Sequence, residues 1–385
     1  MNNEIIKSDS AFYVFDIDVL LHRVAYLKES LPKNVELCYA VKANTFIIKE
    51  LIGSVSRFEV CSPGEAEICT KLGVNDGETV ISGVYKTPSV IEEMVKNHSE
   101  RIFTAESLIQ FELLKSLSEK YGKTLKVLLR LTNDSQFGMN KSDIKNIVAK
   151  RNEYKNLDIH GIQFFSGTQK TSPKRLKREV EKLDLLITEL RNEYGFESKE
   201  LEYGPGFPVA YFEDEDINEK ELLEGFSALI ENMENKLPVV LELGRSIAAS
   251  CGNYFAHIVD IKHNKGQNYI LIDGGMHHLV YFGQHMAMKQ PIFSVFQKED
   301  MPYEDEWNIC GSLCSMNDIV VKQAKLPKVS LGDLLCFKNT GAYCMTEGIS
   351  LFLSREIPAV YLKRNGEYLL VRKSFETALL NTPNY

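Results

Sequence analysis

A lysine stands at the point where an alternating apolar segment of the chain ends. Residues 35–42 alternate bulky apolar side chains with small or polar ones, a period typical of a strand, and they end at Lys42. A lysine at such a strand end packs its stem and directs its amine at whatever lies beyond the strand. Two interpretations are open at this point: an ammonium group that reaches water, or an amine that forms a Schiff base with a carbonyl cofactor or substrate.

Polar residues and glycines recur where later apolar segments end. Two of these places are suited to bind a phosphate group: the turn Gly204-Pro205-Gly206 and the pair Gly244-Arg245. Glycines let backbone N–H groups approach a phosphate closely, and arginine adds a bidentate clamp. By itself a Gly-x-Gly turn is a weak indication, but its position in a series of eight segments strengthens it. The other candidate residues at segment ends are Glu59, Arg130, Phe165, Thr168 and Glu242.

Strand-like and helix-like segments alternate through the first two thirds of the chain. Helical periodicity separates most of the apolar segments, for example in residues 63–72, 107–121 and 173–194. Eight strands alternating with helices are typical of a (β/α)₈ TIM barrel, whose catalytic residues lie at the C-terminal ends of its strands. The eight predicted strands are residues 35–42, 57–62, 78–83, 101–105, 125–132, 159–166, 200–204 and 238–243.

A different pattern follows the eighth segment. After Gly252 the predicted strands, such as residues 254–262, follow one another without long helices, and Asn365-Gly366 is a hairpin signal. We therefore predict an α/β fold with two domains. The barrel covers residues 18–251, and a mostly antiparallel β domain covers residues 252–385 and is completed by residues 1–17.

Composition and charge exclude several classes of function. The 385 residues carry a formal net charge of −8 without a basic stripe, so we expect no nucleic-acid partner. No apolar run approaches the ~20 residues that a membrane helix needs, and residues 1–10 lack the pattern of a signal peptide. Eight cysteines at irregular spacings favour reduced thiols, and hence a cytoplasmic protein. Cys310 and Cys314 form the only notable close pair, so we expect no metal site.

Six motifs occur in one order along the chain, and together they resemble a known family. That family is the fold-type III pyridoxal-phosphate decarboxylases, which include diaminopimelate and ornithine decarboxylases. The resemblance covers essentially the whole chain and implies an alanine-racemase-like barrel with a β domain. It also implies pyridoxal 5′-phosphate (PLP) as cofactor and a head-to-tail homodimer with shared active sites. The motifs are residues 39–44 (YAVKAN), 161–168 (GIQFFSGT), 204–207 (GPGF), 242–245 (ELGR), 310–318 (CGSLCSMND) and 341–343 (GAY).

The resemblance implies a role for each candidate residue. Lys42 would form the Schiff base with the cofactor, and Glu242 would keep the pyridine nitrogen protonated so that the ring accepts electrons. Cys314, contributed by the partner subunit, would return a proton to the α-carbon after carbon dioxide leaves. Phe165 stands where many members have a histidine, so it can stack on the cofactor ring but cannot hydrogen-bond. The remaining implied cofactor residues are Glu59, Arg130, Thr168, Gly204, Gly206, Gly244, Arg245 and Tyr343.

The resemblance implies that Ser315 and Asp318 would contact the substrate. Two departures from the family concern the substrate that would bind there. The residue after the family cysteine is usually acidic and helps to bind a distal ammonium, but here it is Ser315. The segment after Met276 lacks the arginine that diaminopimelate decarboxylases use for the distal carboxylate. The pattern is more similar to the subgroup in siderophore and other specialised pathways, so we predict a modified or carrier-tethered amino acid as substrate.

Three alternatives are open. A housekeeping lysine, ornithine or diaminopimelate decarboxylase would act efficiently on free amino acids. An alanine-racemase-type enzyme of the same fold is disfavoured by Cys314 and by the motif at residues 341–343. A non-enzymatic relative that binds a partner protein is disfavoured because Lys42, Glu242 and Arg245 are all retained.

Overall fold

The computed structural model describes residues 3–6 and 10–384, which divide into two compact units. The barrel unit comprises Val24–Pro208 and Asn218–Ile247. The β unit comprises Val209–Ile217 and Ala248–Tyr385 together with the segment that ends at Arg23. The sequence placed the domain boundaries after residues 17 and 251, and the units divide after residues 23 and 247.

Eight parallel strands close into a barrel in the barrel unit, which confirms the predicted fold class. The chain first forms helix α1 (Asn3–Ile6), strand β1 (Phe12–Asp16) and helix α2 (Ile17–Ser30). The barrel strands are β2 (Val35–Ala40), β3 (Arg57–Val60), β4 (Thr79–Ile81), β5 (Ile102–Ala105), β6 (Leu125–Arg130), β7 (Leu157–Phe165), β8 (Glu200–Gly204) and β9 (Val239–Leu243). Strand β9 is buried along its whole length. Parallel barrel strands are covered on both faces, so their sequences are nearly continuous in apolar residues.

Helices connect the barrel strands, and local signals set where they begin and end. The remaining helices of the chain are α3 (Ile48–Leu51), α4 (Pro63–Lys71), α5 (Pro88–Asn97), α6 (Leu108–Tyr121), α7 (Lys141–Ala149), α8 (Pro173–Tyr194), α9 (Glu219–Glu231), α10 (Arg245–Ala248) and α11 (Ala378–Asn381). Helix α4 begins after Ser62, whose side chain accepts a hydrogen bond from the backbone N–H of Glu65. Helix α8 ends at Gly195, which has a left-handed φ of 60°.

The barrel interior contains an apolar cluster with buried acidic residues beside it. The apolar cluster consists of Cys38, Val80, Ile102, Leu128 and Val240. Glu242 follows Val240 by two positions on β9, so both side chains point to the same side of the strand. Glu242 therefore lies on the C-terminal side of Val240, whereas Glu202 of β8 pairs with Val240 itself.

An ion pair joins the beginnings of strands β3 and β8. Arg57 donates from Nη1 and Nη2 to the two carboxylate oxygens of Glu200, at 2.5 and 2.7 Å. Burial alone would raise the pKa of Glu200, but the hydrogen bonds from Arg57 and His160 outweigh it and lower the pKa to about 2. This bidentate pair therefore contributes stability in its ionised form.

Glu200→Gln is expected to destabilise the fold by about 3 kcal/mol at pH 7, because it leaves Arg57 without its counter-charge. The folded-state pKa of Glu200 lies below the ordinary value of 4.5. The advantage of the wild type is therefore present above about pH 4.5 and is lost as the pH falls toward 2. Urea unfolding at pH 7 and pH 3 measures both effects, with Glu36→Gln as an exposed control on β2. Equal free energies of unfolding at pH 7 would contradict the role of the pair.

The β unit is built on a nine-stranded, mostly antiparallel sheet. In addition to β1 it contains β10 (Gly252–Asn264), β11 (Gln267–Ile272), β12 (Phe293–Val295), β13 (Asp305–Cys310), β14 (Ile319–Leu326), β15 (Leu334–Lys338), β16 (Ala359–Arg364) and β17 (Glu367–Arg372). Strand β1 lies between β10 and β16, antiparallel to the first and parallel to the second. The predicted hairpin turn joins β16 to β17, and Asn365 and Gly366 have φ angles of 50° and 81°. No helix within residues 3–6 and 10–384 is long and apolar enough to span a membrane.

Candidate active site

Lys42 lies in a short 3₁₀ turn directly after strand β2. The predicted strand over residues 35–42 is two residues too long, because the strand ends at Ala40 and Val41–Ala43 form the turn. Asn44 fixes the end of this turn: its side chain caps the next turn, and its carbonyl accepts the Tyr39 hydroxyl at 2.9 Å. The lysine is therefore held by a defined backbone rather than by a mobile loop.

Two glutamates from neighbouring strands meet the amine of Lys42. The Nζ atom lies 2.9 Å from Oε2 of Glu59 and 3.3 Å from Oε1 of Glu242. The strand register explains this meeting, since Ala40 pairs with Glu59 and Cys38 pairs with Glu242. Both glutamates are buried, whereas the side chain of Lys42 is 37% exposed. The site therefore places a partly accessible amine between two buried carboxylates.

The two carboxylates differ in their electrostatic environment. Burial disfavours the charged form of Glu59, but Lys42 and the thiol of Cys61 outweigh burial, and the pKa of Glu59 lies below its ordinary value. Burial, and then the charge of Glu59, hold the pKa of Glu242 above its ordinary value. Glu242 is therefore the carboxylate that gains most from a further cation beside it, such as a protonated heterocycle.

Two polar residues that the sequence did not assign to the site orient these carboxylates. The thiol of Cys61 donates to Oε1 of Glu59 at 2.9 Å, and its sulfur lies 3.6 Å from Nζ of Lys42. Burial, and then Glu59, raise the pKa of Cys61 well above its ordinary value, so the thiol stays protonated. Gln163 donates from Nε2 to Oε2 of Glu242 at 3.0 Å. Alternation could have found Cys61, which follows Glu59 by two positions at a strand end.

A third glutamate, also missed, lies fully buried on strand β8. Neither carboxylate oxygen of Glu202 has a hydrogen-bond partner among the described residues, and Nη1 of Arg57 lies 3.8 Å from one of them. Burial, and then the charge of Glu242, hold the pKa of Glu202 well above its ordinary value. The charged form of Glu202 is therefore disfavoured, first by burial and then by the nearby charge of Glu242.

Arg130 adds positive potential near the buried acidic residues. Its Nη1 lies 2.9 Å from Oε1 of Glu106, and its guanidinium carbon lies 5.1 Å from the centre of the Phe137 ring. The charge of Arg130 also favours the ionised form of both Glu59 and Glu242, although the pKa of Glu242 stays above its ordinary value. Arg130 thus lies close enough to influence both carboxylates that flank Lys42.

The turns after strands β7, β8 and β9 approach one another. Arg245, next to Gly244 at the end of β9, donates from Nε to Oγ1 of Thr168 at 3.2 Å. Gly206 has a left-handed φ of 65°, and a Cβ atom there would lie only 2.1 Å from the carbonyl oxygen of Gly167. Only glycine lets these turns pack backbone against backbone. A guanidinium, a hydroxyl and a glycine-rich turn form a donor set that suits a phosphate group.

Gly204 makes room for an aromatic ring. It pairs with Phe165 across strands β7 and β8, and a Cβ atom at position 204 would lie 2.5 Å from Cδ2 of Phe165. The ring of Phe165 is half-buried. Gly204 therefore contacts Phe165, the side chain that the resemblance places against the cofactor ring. Gly204 also lies beside the glycine turn at Gly206.

Four predicted site residues lie in the β unit. Cys314 is an exposed free thiol in the loop that also carries Ser315. Asp318 is buried, and its carboxylate accepts two backbone N–H groups of neighbouring segments, at 2.7 and 2.8 Å. These bonds fix the base of the loop, so Asp318 has an evident structural use there. Tyr343 adopts a left-handed φ of 66°, which is uncommon for a residue other than glycine.

Comparison with known proteins gives the family of the chain. Residues 18–249 match the family described as pyridoxal-dependent decarboxylase, pyridoxal binding domain. The chain is 26% identical to the L-glutamyl-[BtrI acyl-carrier protein] decarboxylase of Niallia circulans, over 95% of this chain and 92% of that protein. It is 27% identical to the 2-[(L-alanin-3-ylcarbamoyl)methyl]-2-hydroxybutanedioate decarboxylase of Staphylococcus aureus, over 92% of this chain and 94% of that protein. The structure of diaminopimelate decarboxylase from Helicobacter pylori with L-lysine has the same fold, with a TM-score of 0.85, 20% identity and 98% coverage of both chains.

The site geometry fits the cofactor of this family. Lys42 offers an accessible amine, and the raised pKa of Glu242 leaves that carboxylate suited to a protonated ring nitrogen. Arg245 and Thr168 lie together beside a glycine turn that suits the cofactor phosphate. The family match confirms the predicted cofactor and enzyme class, and the chain belongs to the pyridoxal-dependent decarboxylases as a PLP-dependent amino-acid decarboxylase.

Proposed function

We propose that this enzyme removes the α-carboxylate of an amino-acid conjugate, modified or carrier-tethered, in a siderophore or other specialised pathway. The observation that carries the proposal is a cavity of about 140 Å³ in the β unit with no Asp, Glu, Lys or Arg among its described lining residues. The cavity includes the segment after Met276, where diaminopimelate decarboxylases have an arginine for the distal carboxylate, whereas Ser315 is not among its lining residues. It is lined by Met276, Leu279, Val280, Tyr281, Gln284, His285, Met286, Asn317, Ile319 and Val320.

A neutral distal group suits this lining better than an ion does. A bare ammonium needs a carboxylate beside it, and Ser315 offers only a hydroxyl. A distal carboxylate needs an arginine, whereas Tyr281, Gln284 and His285 offer neutral donors and acceptors. An amide, a citryl unit or a carrier arm would match such groups. Two relatives support this reading, since one is named for a carrier-linked glutamyl group and the other for an amide-linked hydroxybutanedioate.

The residues of the barrel would divide the work of binding and proton control. When bound, PLP supplies an electron sink for the charge left on the α-carbon after decarboxylation. Glu242, oriented by Gln163, would hold a proton at the ring nitrogen, and Arg245 with Thr168 would bind the phosphate. Lys42 would hold the cofactor between turnovers and release the product amine. Because its amine lies between two carboxylates, Lys42 would return to the same position after each turnover.

We infer that Cys314 acts as proton donor to the α-carbon from the partner subunit of a homodimer. An exposed thiol on a fixed loop is able to enter another subunit's site. A second support is a set of exposed apolar side chains in the β unit, since exposed apolar groups are common at protein interfaces. Its side chains are between 38% and 76% exposed, and they are Ile349, Leu351, Phe352, Leu353, Leu369, Leu370, Val371, Phe375, Leu379 and Leu380.

Free diamino acids are expected to be poor substrates. We expect kcat/KM for lysine, ornithine and diaminopimelate to lie below about 10⁴ M⁻¹s⁻¹, the low end for efficient enzymes. An amide-linked or carrier-linked amino acid should exceed the best of them at least tenfold. Carbon dioxide release from each compound measures this directly. Efficient turnover of a free diamino acid would instead establish the housekeeping activity, and proton exchange without carbon dioxide release would point to a racemase.

A mixture of two inactive variants should regain activity. Mixing Lys42→Ala with Cys314→Ala protein in equal amounts is expected to restore up to roughly a quarter of wild-type activity. Half of the random dimers are mixed, and each has one site with both Lys42 and Cys314 intact. Cys310→Ala, at the start of the same loop, should stay active by itself and serves as the matched control. Failure to recover activity after proven subunit exchange would place Cys314 in its own subunit's site.

A further inference from the structure

A cavity of about 450 Å³ in the β unit contains polar groups that the decarboxylation chemistry does not use. Its walls come from strands β10 and β11, from the segment after β11 and from residues 355–358 before β16. This volume is within the usual range for sites that bind small molecules. All the residues considered below, from Asp273 to Glu356, belong to the β unit.

Arg355 supplies the positive charge of this cavity. Its Nη2 donates to the carbonyl oxygen of Ser312 at 2.9 Å, and it forms no ion pair with any residue that the structure describes. A guanidinium has five N–H donors in a fixed fork, so most of the donors of Arg355 remain available. The side chain is exposed and reaches the cavity from one wall. Such a group is suited to bind a carboxylate or a phosphate with two parallel hydrogen bonds.

His277 supplies a second polar group, from inside the fold. It is 1% exposed, and within the described part of the chain its Nδ1 has no hydrogen-bond partner. Burial, then His278 and Arg355, lower the pKa of His277 to about 3, so the ring is a neutral donor and acceptor. The adjacent His278 is already used, since it bonds the Tyr254 hydroxyl and the carbonyl of Glu356. A buried ring nitrogen without a partner is a costly arrangement, and a ligand can relieve it once the ring turns toward the cavity.

Two carboxylates also line the cavity, and they differ in availability. Both oxygens of Asp273 are engaged by His257, through its backbone N–H at 2.8 Å and its ring Nδ1 at 2.9 Å. Glu356 has no ion-pair partner among the described residues, so its carboxylate would repel an anion in the cavity. Removing that charge should therefore strengthen anion binding, whereas a ligand with an ammonium group would lose affinity.

We propose that this cavity binds a small anion, a carboxylate or a phosphate, through Arg355 and His277. Arg355 would form the bidentate contact, and His277, after turning its buried ring toward the cavity, would complete it with one hydrogen bond. The site is independent of the nature of the amino acid that is decarboxylated. Because Arg355 is also bonded to Ser312, two positions before Cys314, the anion would bind at the base of the loop that carries the exposed thiol.

Calorimetric titration of the PLP-loaded enzyme tests the proposal, since the cofactor then occupies the phosphate site of the barrel. The probes are inorganic phosphate and, separately, citrate, each at constant ionic strength in a buffer without either ion. We expect saturable binding of at least one probe, with one site per chain. Phosphate alone would identify a phosphate site, citrate alone a carboxylate site, and both a general anion site.

Variants decide whether the bound anion is in this cavity. Arg355→Gln should weaken binding at least tenfold, and His277→Leu at least threefold, while Glu356→Gln should strengthen it. Arg178→Gln, an exposed arginine on helix α8, is the matched control and should leave the affinity unchanged. Thermal unfolding checks that each variant is folded. Absence of saturable binding, equal affinity in the Arg355→Gln protein, or weaker binding by Glu356→Gln would overturn the proposal.

Discussion

Lys42→Ala protein is expected to lose its covalent bond to the cofactor and to decarboxylate at least ~10³-fold more slowly than wild type. Alanine removes both the amine that attaches the cofactor and a group able to move a proton beside Glu59 and Glu242. The purified wild type should be yellow and should retain the cofactor after borohydride reduction and denaturation. The variant should release all its cofactor under the same treatment.

Peptide mapping after borohydride reduction identifies which lysine carries the cofactor. Lys86 is the serious competitor, because burial lowers its pKa to about 8. Its amine, however, is held by the carbonyl of Gly83 and by the side chains of Thr104 and Gln110, at 3.0 to 3.3 Å. Label on Lys86 would contradict the assignment of Lys42. Lys49→Ala, an exposed change on helix α3, should leave both labelling and rate unaltered.

The Glu242→Gln substitution should separate cofactor binding from catalysis. The amide keeps the size of the side chain, and Lys42 still attaches the cofactor, so the protein should remain yellow. An amide cannot keep the ring nitrogen protonated, so the rate should fall at least ~10²-fold, a barrier increase of about 2.7 kcal/mol. Single-turnover kinetics of the loaded enzyme measure the step itself. A loss of less than about tenfold would rule out this role for Glu242.

The same substitution on the adjacent strand provides a matched control. Glu202 is buried like Glu242, and burial together with the charge of Glu242 holds its pKa well above the ordinary value, so its charged form is disfavoured. Glu202→Gln keeps the shape of a side chain whose oxygens have no hydrogen-bond partner among the described residues, and it should change the rate by less than about tenfold. A large loss in both variants would indicate a general sensitivity of the barrel interior rather than a role specific to Glu242.

The sequence alone identified candidate site residues that stand at the ends of visible strand patterns. It did not identify residues whose place in the site depends on how distant strands pair. Lys42, Glu242 and Arg245 each lie at the end of a segment whose alternation is visible along the chain, so position alone raised them as candidates. Gln163 and Glu202 were missed because their partners lie on other strands. Only the pairing of β7 with β8 and of β8 with β9 brings these residues toward the same carboxylate. Side-by-side pairing of distant segments leaves no local pattern.

Boundaries were also limited by what local patterns contain. The apolar alternation continues to Lys42, although strand pairing stops at Ala40, because a 3₁₀ turn can carry the same side-chain pattern as a strand end. The segment Val209–Ile217 lies between two barrel elements in sequence and nevertheless packs in the β unit. No change in composition marks this segment, so the predicted barrel, a continuous range of residues, included it.

The position of strand β1 has a consequence for the order of folding during synthesis. Its two neighbours in the sheet, β10 and β16, begin at Gly252 and Ala359. A ribosome adding ~5–20 residues per second needs roughly 12 to 50 s between finishing β1 and finishing β10, the first of these neighbours to be made. The barrel strands are all available earlier, so the barrel can form while β1 waits without a partner. The buried aromatic side chains of Phe12 and Phe15 are exposed for that whole interval, which makes the first strand the segment most in need of a chaperone.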